Sequence, residues 1–261
     1  MKRNVPEING ILRSHMINVP GIIREASGII VLGKRIKSLI FSTDVAVIRN
    51  NNADAIMAVY PFTPQPAITQ AIVVGTDKPV FCGVGGGLTT GKRVVNLALD
   101  AEFKGAMGVI LNAPTPNQVV SRVRKTVDIP VVVTVVSEKE DIEGRINSGA
   151  SILNVSGGKR TTEIVRNIRE RFPEVPIIAT GGPNDESIRE TIEAGANAIT
   201  YTPQSSADIF SQVMIRYRDV YENEEVKNVE EVKNVAEVSE ISEVTAINAE
   251  IESSAEEDFQ I

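Results

Sequence analysis

From Lys37 to Tyr221 the apolar positions repeat one unit: a short β-branched run, a turn, then a stretch with apolar residues every three or four positions. The runs occupy 38–43, 55–60, 79–84, 108–113, 130–136, 151–156, 176–182 and 198–203. Each is almost continuously apolar rather than alternating. That is the pattern of strands buried on both faces of a parallel sheet. The stretches between them read as amphipathic helices. Val94, Leu97, Ala98 and Ala101 fall on one helical face, as do Ile164, Val165 and Ile168 behind a capping Thr161. Asn184 and Gly195 bracket another helix with a polar start and a glycine stop. Eight strand–helix units in so short a span predict an α/β fold, a (β/α)8 TIM barrel.

An internal repeat supports this reading. Ile129-Pro130-Val131-Val132-Val133-Thr134 aligns with Val175-Pro176-Ile177-Ile178-Ala179-Thr180. Without a gap, Ile142 falls on Ile188, Ile146 on Ile192 and Gly149 on Gly195. The offset spans two β–α steps, as a repeating architecture requires and an open Rossmann sheet does not.

Three segments follow. Residues 1–35 read as a helical extension packed on the barrel, with Ile8, Ile11 and Leu12 on one face, a short helix from Pro20 to Ala26, and the sole histidine, His15, as a surface or capping residue. Residues 36–221 form the barrel. Residues 222–261 read as an acidic, disordered tail. Its apolar positions, Val226 to Ile247, are spaced by three, a period that drifts around a helix and builds no stripe. Such a tail is suited to recruiting a protein partner.

Composition narrows the function. Apolar residues make up 42% and Trp is absent, so the core is aliphatic. One cysteine, Cys82, excludes a disulfide framework, and no apolar leader or membrane-length run is present. A cytoplasmic protein is expected. The formal charge of −7 is uneven: residues 222–261 carry −11, which leaves the body at +4. A mildly basic body suits small anionic substrates and lacks the Arg/Lys clusters of nucleic-acid binders. One His and one Cys cannot build a metal site of that type.

In such a barrel, chemistry sits at the C-terminal ends of the strands. Residues there, taken as pointing inward, are Ser42 or Asp44, Cys82, Asn112, Thr134, Asn154 with Ser156, Thr180, and Thr200 with Thr202. Asp44 fits a general base and equally a helix cap for 45–50. Glu138 and Lys159 are the other acid–base candidates, Lys159 as an amine or as a loop cation. Gly157-Gly158 and Gly181-Gly182 are expected to offer backbone N–H groups to an anion, together with Thr202 in the eighth loop. The loop Gly83–Arg93 lacks the Ser or Thr that a P-loop needs after its lysine, so it reads as a flexible closing loop whose Lys92 or Arg93 meets an anion. A divalent metal held by Asp44 or Glu138 and flavin mononucleotide are both compatible cofactors, and neither is required.

The segments at 151–158 and 177–203 resemble aldolase-type, phosphate-binding barrels such as ketodeoxyphosphogluconate aldolase and N-acetylmannosamine-6-phosphate epimerase. The chain to about Tyr217 is also similar to an uncharacterised bacterial barrel family commonly labelled "hydrolase". The resemblance implies a small, phosphorylated substrate at Gly181, Gly182 and the eighth-strand loop, and an oligomeric enzyme. Lys159 lies beyond the turn rather than within the sixth strand, where such aldolases carry their lysine. Three readings stay open: a lyase or isomerase, a hydrolase in which Asp44 or Glu138 activates water, and a non-catalytic binding scaffold.

Overall fold

The computed structural model describes Pro6, Ile8 and residues 16–222. A 3-10 helix at Gly21–Glu25 leads into an antiparallel hairpin, β1 (Ile29–Val31) and β2 (Lys34–Ile36). Its two-residue turn, Leu32-Gly33, has φ of 46° and 81°. Both residues are left-handed, the geometry that matches the twist of a tight hairpin. The barrel strands follow: β3 (Ser38–Phe41), β4 (Ala55–Ala58), β5 (Val80–Gly85), β6 (Gly108–Leu111), β7 (Val131–Val135), β8 (Ile152–Val155), β9 (Ile177–Thr180) and β10 (Ala198–Tyr201). They pair in parallel and in sequence order, and β10 closes on β3. All eight predicted runs are strands of this barrel.

Seven helices alternate with these strands: α1 (Val45–Arg49), α2 (Pro66–Val74), α3 (Lys92–Phe103), α4 (Asn117–Arg124), α5 (Ile142–Asn147), α6 (Thr161–Arg171) and α7 (Asp185–Glu193). The barrel unit ends at Ser206. The helix α8 (Ser206–Glu222) carries the chain into a second unit and is described by itself. Ile11, Leu12, His15 and residues 223–261 lie outside the described residues.

Strand alternation divides the apolar side chains into two layers. Ile40, Ile56, Cys82, Val109, Val133, Leu153, Ala179 and Ile199 face the helices. Leu39, Met57, Phe81, Ile110, Val132, Ile152, Ile178 and Ala198 fill the barrel. Ile29, Val31 and Ile36 of the hairpin join this inner cluster and plug its floor. The extension is thus partly a β-hairpin, where the sequence reading expects helix alone.

The same floor is stapled by Arg169. Its guanidinium donates to Gly195 O (2.8 and 3.2 Å), Val175 O (2.9 Å), Asn197 Oδ1 (2.8 Å) and Pro173 O. Burial lowers its pKa from the ordinary value. A side chain at Gly195 would meet Arg169 Cγ at 2.7 Å, and its φ is +111°, so the predicted helix stop is also a packing requirement.

Candidate functional site

At the C-terminal rim the inner series changes character. Below it every inward residue is apolar; alternation places Asn112, Thr134, Asn154, Thr180 and Thr200 one step higher on β6–β10. The remaining arc, β3–β5, continues with Phe41, Val59 and Gly83. The mouth therefore has a polar half and an apolar half, and no charged residue belongs to the inner series. Two sequence assignments change. Cys82 faces the helices, with burial pushing its thiol up to about 12, and Phe41 rather than Ser42 continues the inner series.

Three polar residues form a chain. Asn154 Nδ2 donates to Thr134 Oγ1 (3.2 Å), and Thr134 Oγ1 donates to Asn112 Oδ1 (3.3 Å). Asn154 is 6% exposed, and its Oδ1 is a buried acceptor without a partner. Leaving such an atom unpaired costs about 1–3 kcal/mol, so it marks a place where function outweighs stability or a donor arrives with a ligand.

The loops after β8 and β9 enclose a cavity of about 430 Å3. Gly158, Lys159, Thr180, Gly181 and Gly182 line it, so five sequence candidates come together. Among its other lining residues, Thr162, Ser187, Glu190 and Thr191 are not candidates from the sequence, because they lie in the first turns and middles of helices. Lys159 is exposed and makes no ion pair among the described residues. The backbone donors are fewer than the sequence suggests. Gly157 N–H is taken by Thr161 Oγ1 (3.0 Å) and Gly181 N–H by Thr200 O (3.0 Å). Gly158 and Gly182 N–H have no protein acceptor among the described residues. Glycine at 182 is also required by Ser187, whose Oγ lies 1.9 Å from a built Cβ. Thr161 is the first residue of α6 rather than its cap, preceded by a 3-10 turn at Gly158–Arg160.

The other candidates stand apart. Asp44 caps α1: Oδ1 accepts from Ala46 N (2.9 Å) and Val47 N (3.3 Å), while Oδ2 accepts from Ser206 N (3.0 Å) and Oγ (2.5 Å). The Ser206 hydroxyl, with the backbone N–H groups, holds its pKa below the usual value. A carboxylate so held is a weak proton acceptor. Glu138 pairs with Arg160 and accepts from Asn167 Nδ2 (3.2 Å). Lys92 is exposed at the start of α3, and Ser156 and Thr202 are exposed in their loops. The glycine loop after β5 is pinned rather than open. Gly86 and Thr89 exchange backbone bonds (3.0 and 3.3 Å), and Asn112 N donates to Gly85 O (2.8 Å). Among the described residues no three or more His, Cys, Asp or Glu side chains are gathered to hold a metal. Asp44 and Glu138 face protein donors instead, so the residues present do not form a ready metal cage. No helix among the described residues is long and apolar enough to cross a membrane.

No protein-family model matches the chain, and no curated protein matches it. Solved structures do. A protein assigned as a phosphonomutase from Burkholderia cenocepacia J2315 is 17% identical, with 81% of this chain and 96% of that one covered and a TM-score of 0.54. Phosphonopyruvate hydrolase in complex with oxalate and Mg++ is 11% identical, covers 87% and 94%, and scores 0.54. 2,3-dimethylmalate lyase, of the PEP mutase/isocitrate lyase superfamily, is 12% identical, covers 87% and 93%, and scores 0.56. At these identities the likeness establishes the fold. It agrees with the barrel resemblance drawn from 151–158 and 177–203, and one neighbour carries the hydrolase name. Flavin mononucleotide gains no support from these neighbours.

Proposed function

We propose that this barrel is an enzyme acting on a small anionic, phosphorylated substrate by lyase- or isomerase-type acid–base chemistry. The observation that carries it is the cavity after β8 and β9. It combines a lysine with no ion pair and two N–H groups with no protein acceptor among the described residues, several hydroxyls and one carboxylate, Glu190, on a body with positive net charge. Lys159 supplies the counter-charge, and Gly158 and Gly182 N–H direct the anion's oxygens. Thr180 belongs both to this cavity and to the inner series, so the reacting part of the substrate lies toward Asn154, whose unpartnered Oδ1 accepts from a substrate hydroxyl. Of the three acid–base candidates, Lys159 is the one in the cavity, where its ammonium pairs with the anion and is the donor that hands a proton to the substrate, to be replaced from solvent.

Inorganic phosphate and small sugar phosphates should raise the thermal stability of the full chain. A ligand at a hundred times its Kd adds about 2.7 kcal/mol. Lys159→Met should weaken phosphate by at least about tenfold, near 1.4 kcal/mol. Solvent deuterium entering a phosphorylated substrate, followed by NMR, reports the proton transfer. The divalent metal named with phosphonopyruvate hydrolase is tested alongside by adding magnesium or a chelator; chelator-sensitive release of a hydrolysis product would move the assignment to a hydrolase. No phosphate response, or an unchanged one in Lys159→Met, refutes the anion site.

A further inference from the structure

A second cavity, of about 280 Å3, opens among the loops after β4, β5 and β6. Its walls are Val59, Tyr60, Phe62 and Leu88 with the backbone of Gly85 to Gly87, and Asn112 stands at its polar edge. No lining residue is ionisable near neutral pH. The walls are held in place: Tyr60 Oη accepts from Gln65 N (2.8 Å), Thr89 Oγ1 donates to Thr63 Oγ1 (3.2 Å), and Gly86 lies so close to Asn112 that a Cβ there would meet Asn112 O at 2.4 Å.

The buried chain decides what Asn112 offers. A threonine hydroxyl has one proton. Thr134 gives its proton to Asn112 Oδ1 and accepts from Asn154 Nδ2, so Asn112 has its oxygen occupied and its NH2 left over. In the reverse order Thr134 would donate to Asn154 Oδ1, and both N–H donors of the buried Asn154 NH2 would be left unmatched. We infer that this cavity is a second binding subsite, for an uncharged, carbonyl-bearing group with an apolar or aromatic flank, and that Asn112 Nδ2 donates to its carbonyl oxygen. Thr134 and Asn154 act as positioning residues. Burying an ionic head among these uncharged walls would leave it without a partner, so an amide or ketone fits where a carboxylate or an amine does not. The subsite is separate from the Lys159 cavity and stands on its own residues.

The test uses the full, 15N-labelled chain and three compounds that share a ring and differ in the head: benzamide, benzoate and benzylamine. Benzamide should bind and move the Asn112 side-chain amide resonance, identified by its absence in Asn112→Leu. Benzoate and benzylamine should bind at least about tenfold more weakly. Asn112→Leu should lose benzamide by at least about tenfold. Thr134→Val removes the hydroxyl that orients the amide and should weaken benzamide about threefold or more. The phosphate response should persist in both variants, which also shows that they are folded. Failure of benzamide to bind, equal binding of benzoate, or undiminished binding to Asn112→Leu overturns the inference. Benzamide binding without any phosphate response supports it while removing the anion proposal; the reverse pair of results removes this subsite alone.

Discussion

At the scale of single residues, Asp44 separates a structural from a chemical role. Its folded pKa lies below its ordinary 3.8, first through the Ser206 hydroxyl. A carboxylate with a depressed folded pKa contributes stability that is present above the unfolded value and is lost as pH falls through the folded one. The stability difference between the parent chain and Asp44→Asn should therefore be constant near neutral pH and shrink in acid. Its size should be about 1 kcal/mol, because Asn keeps the oxygen that caps α1 and loses the charged acceptor that takes Ser206 N and Oγ. Denaturant titration from neutral pH into acid measures it, and turnover should change little. A loss of turnover of about a hundredfold at unchanged stability would restore Asp44 as a general base. Cys82 faces the helices rather than the barrel interior. In a run that is apolar at every position there is no alternation to read, so the inward and outward faces of β5 were not legible.

Between elements, Arg169 joins α6 to the loops entering β9 and β10 through five donated bonds. Arg169→Met should cost about 3 kcal/mol, because several backbone carbonyls lose a charged donor at once. Lysine should not restore it, since a single ammonium cannot span that set of acceptors. Urea unfolding reads both, and the phosphate response, at the opposite end of the barrel, should persist. The barrel strands and their order were legible because burial on both faces leaves unbroken apolar runs, and because 129–150 repeats in 175–196. The hairpin was not, since Ile29–Val31 and Lys34–Ile36 are too short to show a period. The mouth was legible only as a set of residue types. Asn112 and Asn154 could be named from their strand-end positions, but the direction of the hydrogen bonds through Thr134 depends on three strands being neighbours. The glycine N–H groups were overestimated for a similar reason: the partners of Gly157 and Gly181 come from Thr161 and the adjacent β10.

For the whole molecule, charge is the property that sequence alone supplies most completely. The body to Tyr221 carries +4 and the remainder −11. Like charge lowers the local concentration of an anionic ligand, and salt screens the effect over about 10 Å at 0.1 M. A chain truncated after Tyr221 should therefore bind phosphate more tightly than the full chain at low ionic strength, and the two should converge as salt is added. Titration calorimetry at two salt concentrations tests this; equal affinities at low salt would show that the acidic segment exerts no field on the cavity.

The absence of groups ionisable near neutral pH from the inner series and from the lining of the smaller cavity carries a thermodynamic signature. Nothing there can take up or release a proton when an uncharged guest arrives. The heat of benzamide binding should then be the same in buffers of very different ionisation enthalpy, and its affinity flat across the range where histidine and carboxylates titrate. The Lys159 cavity, whose guest is itself a weak acid, should be sensitive to both. One barrel mouth would thus hold a proton-silent compartment beside a proton-active one.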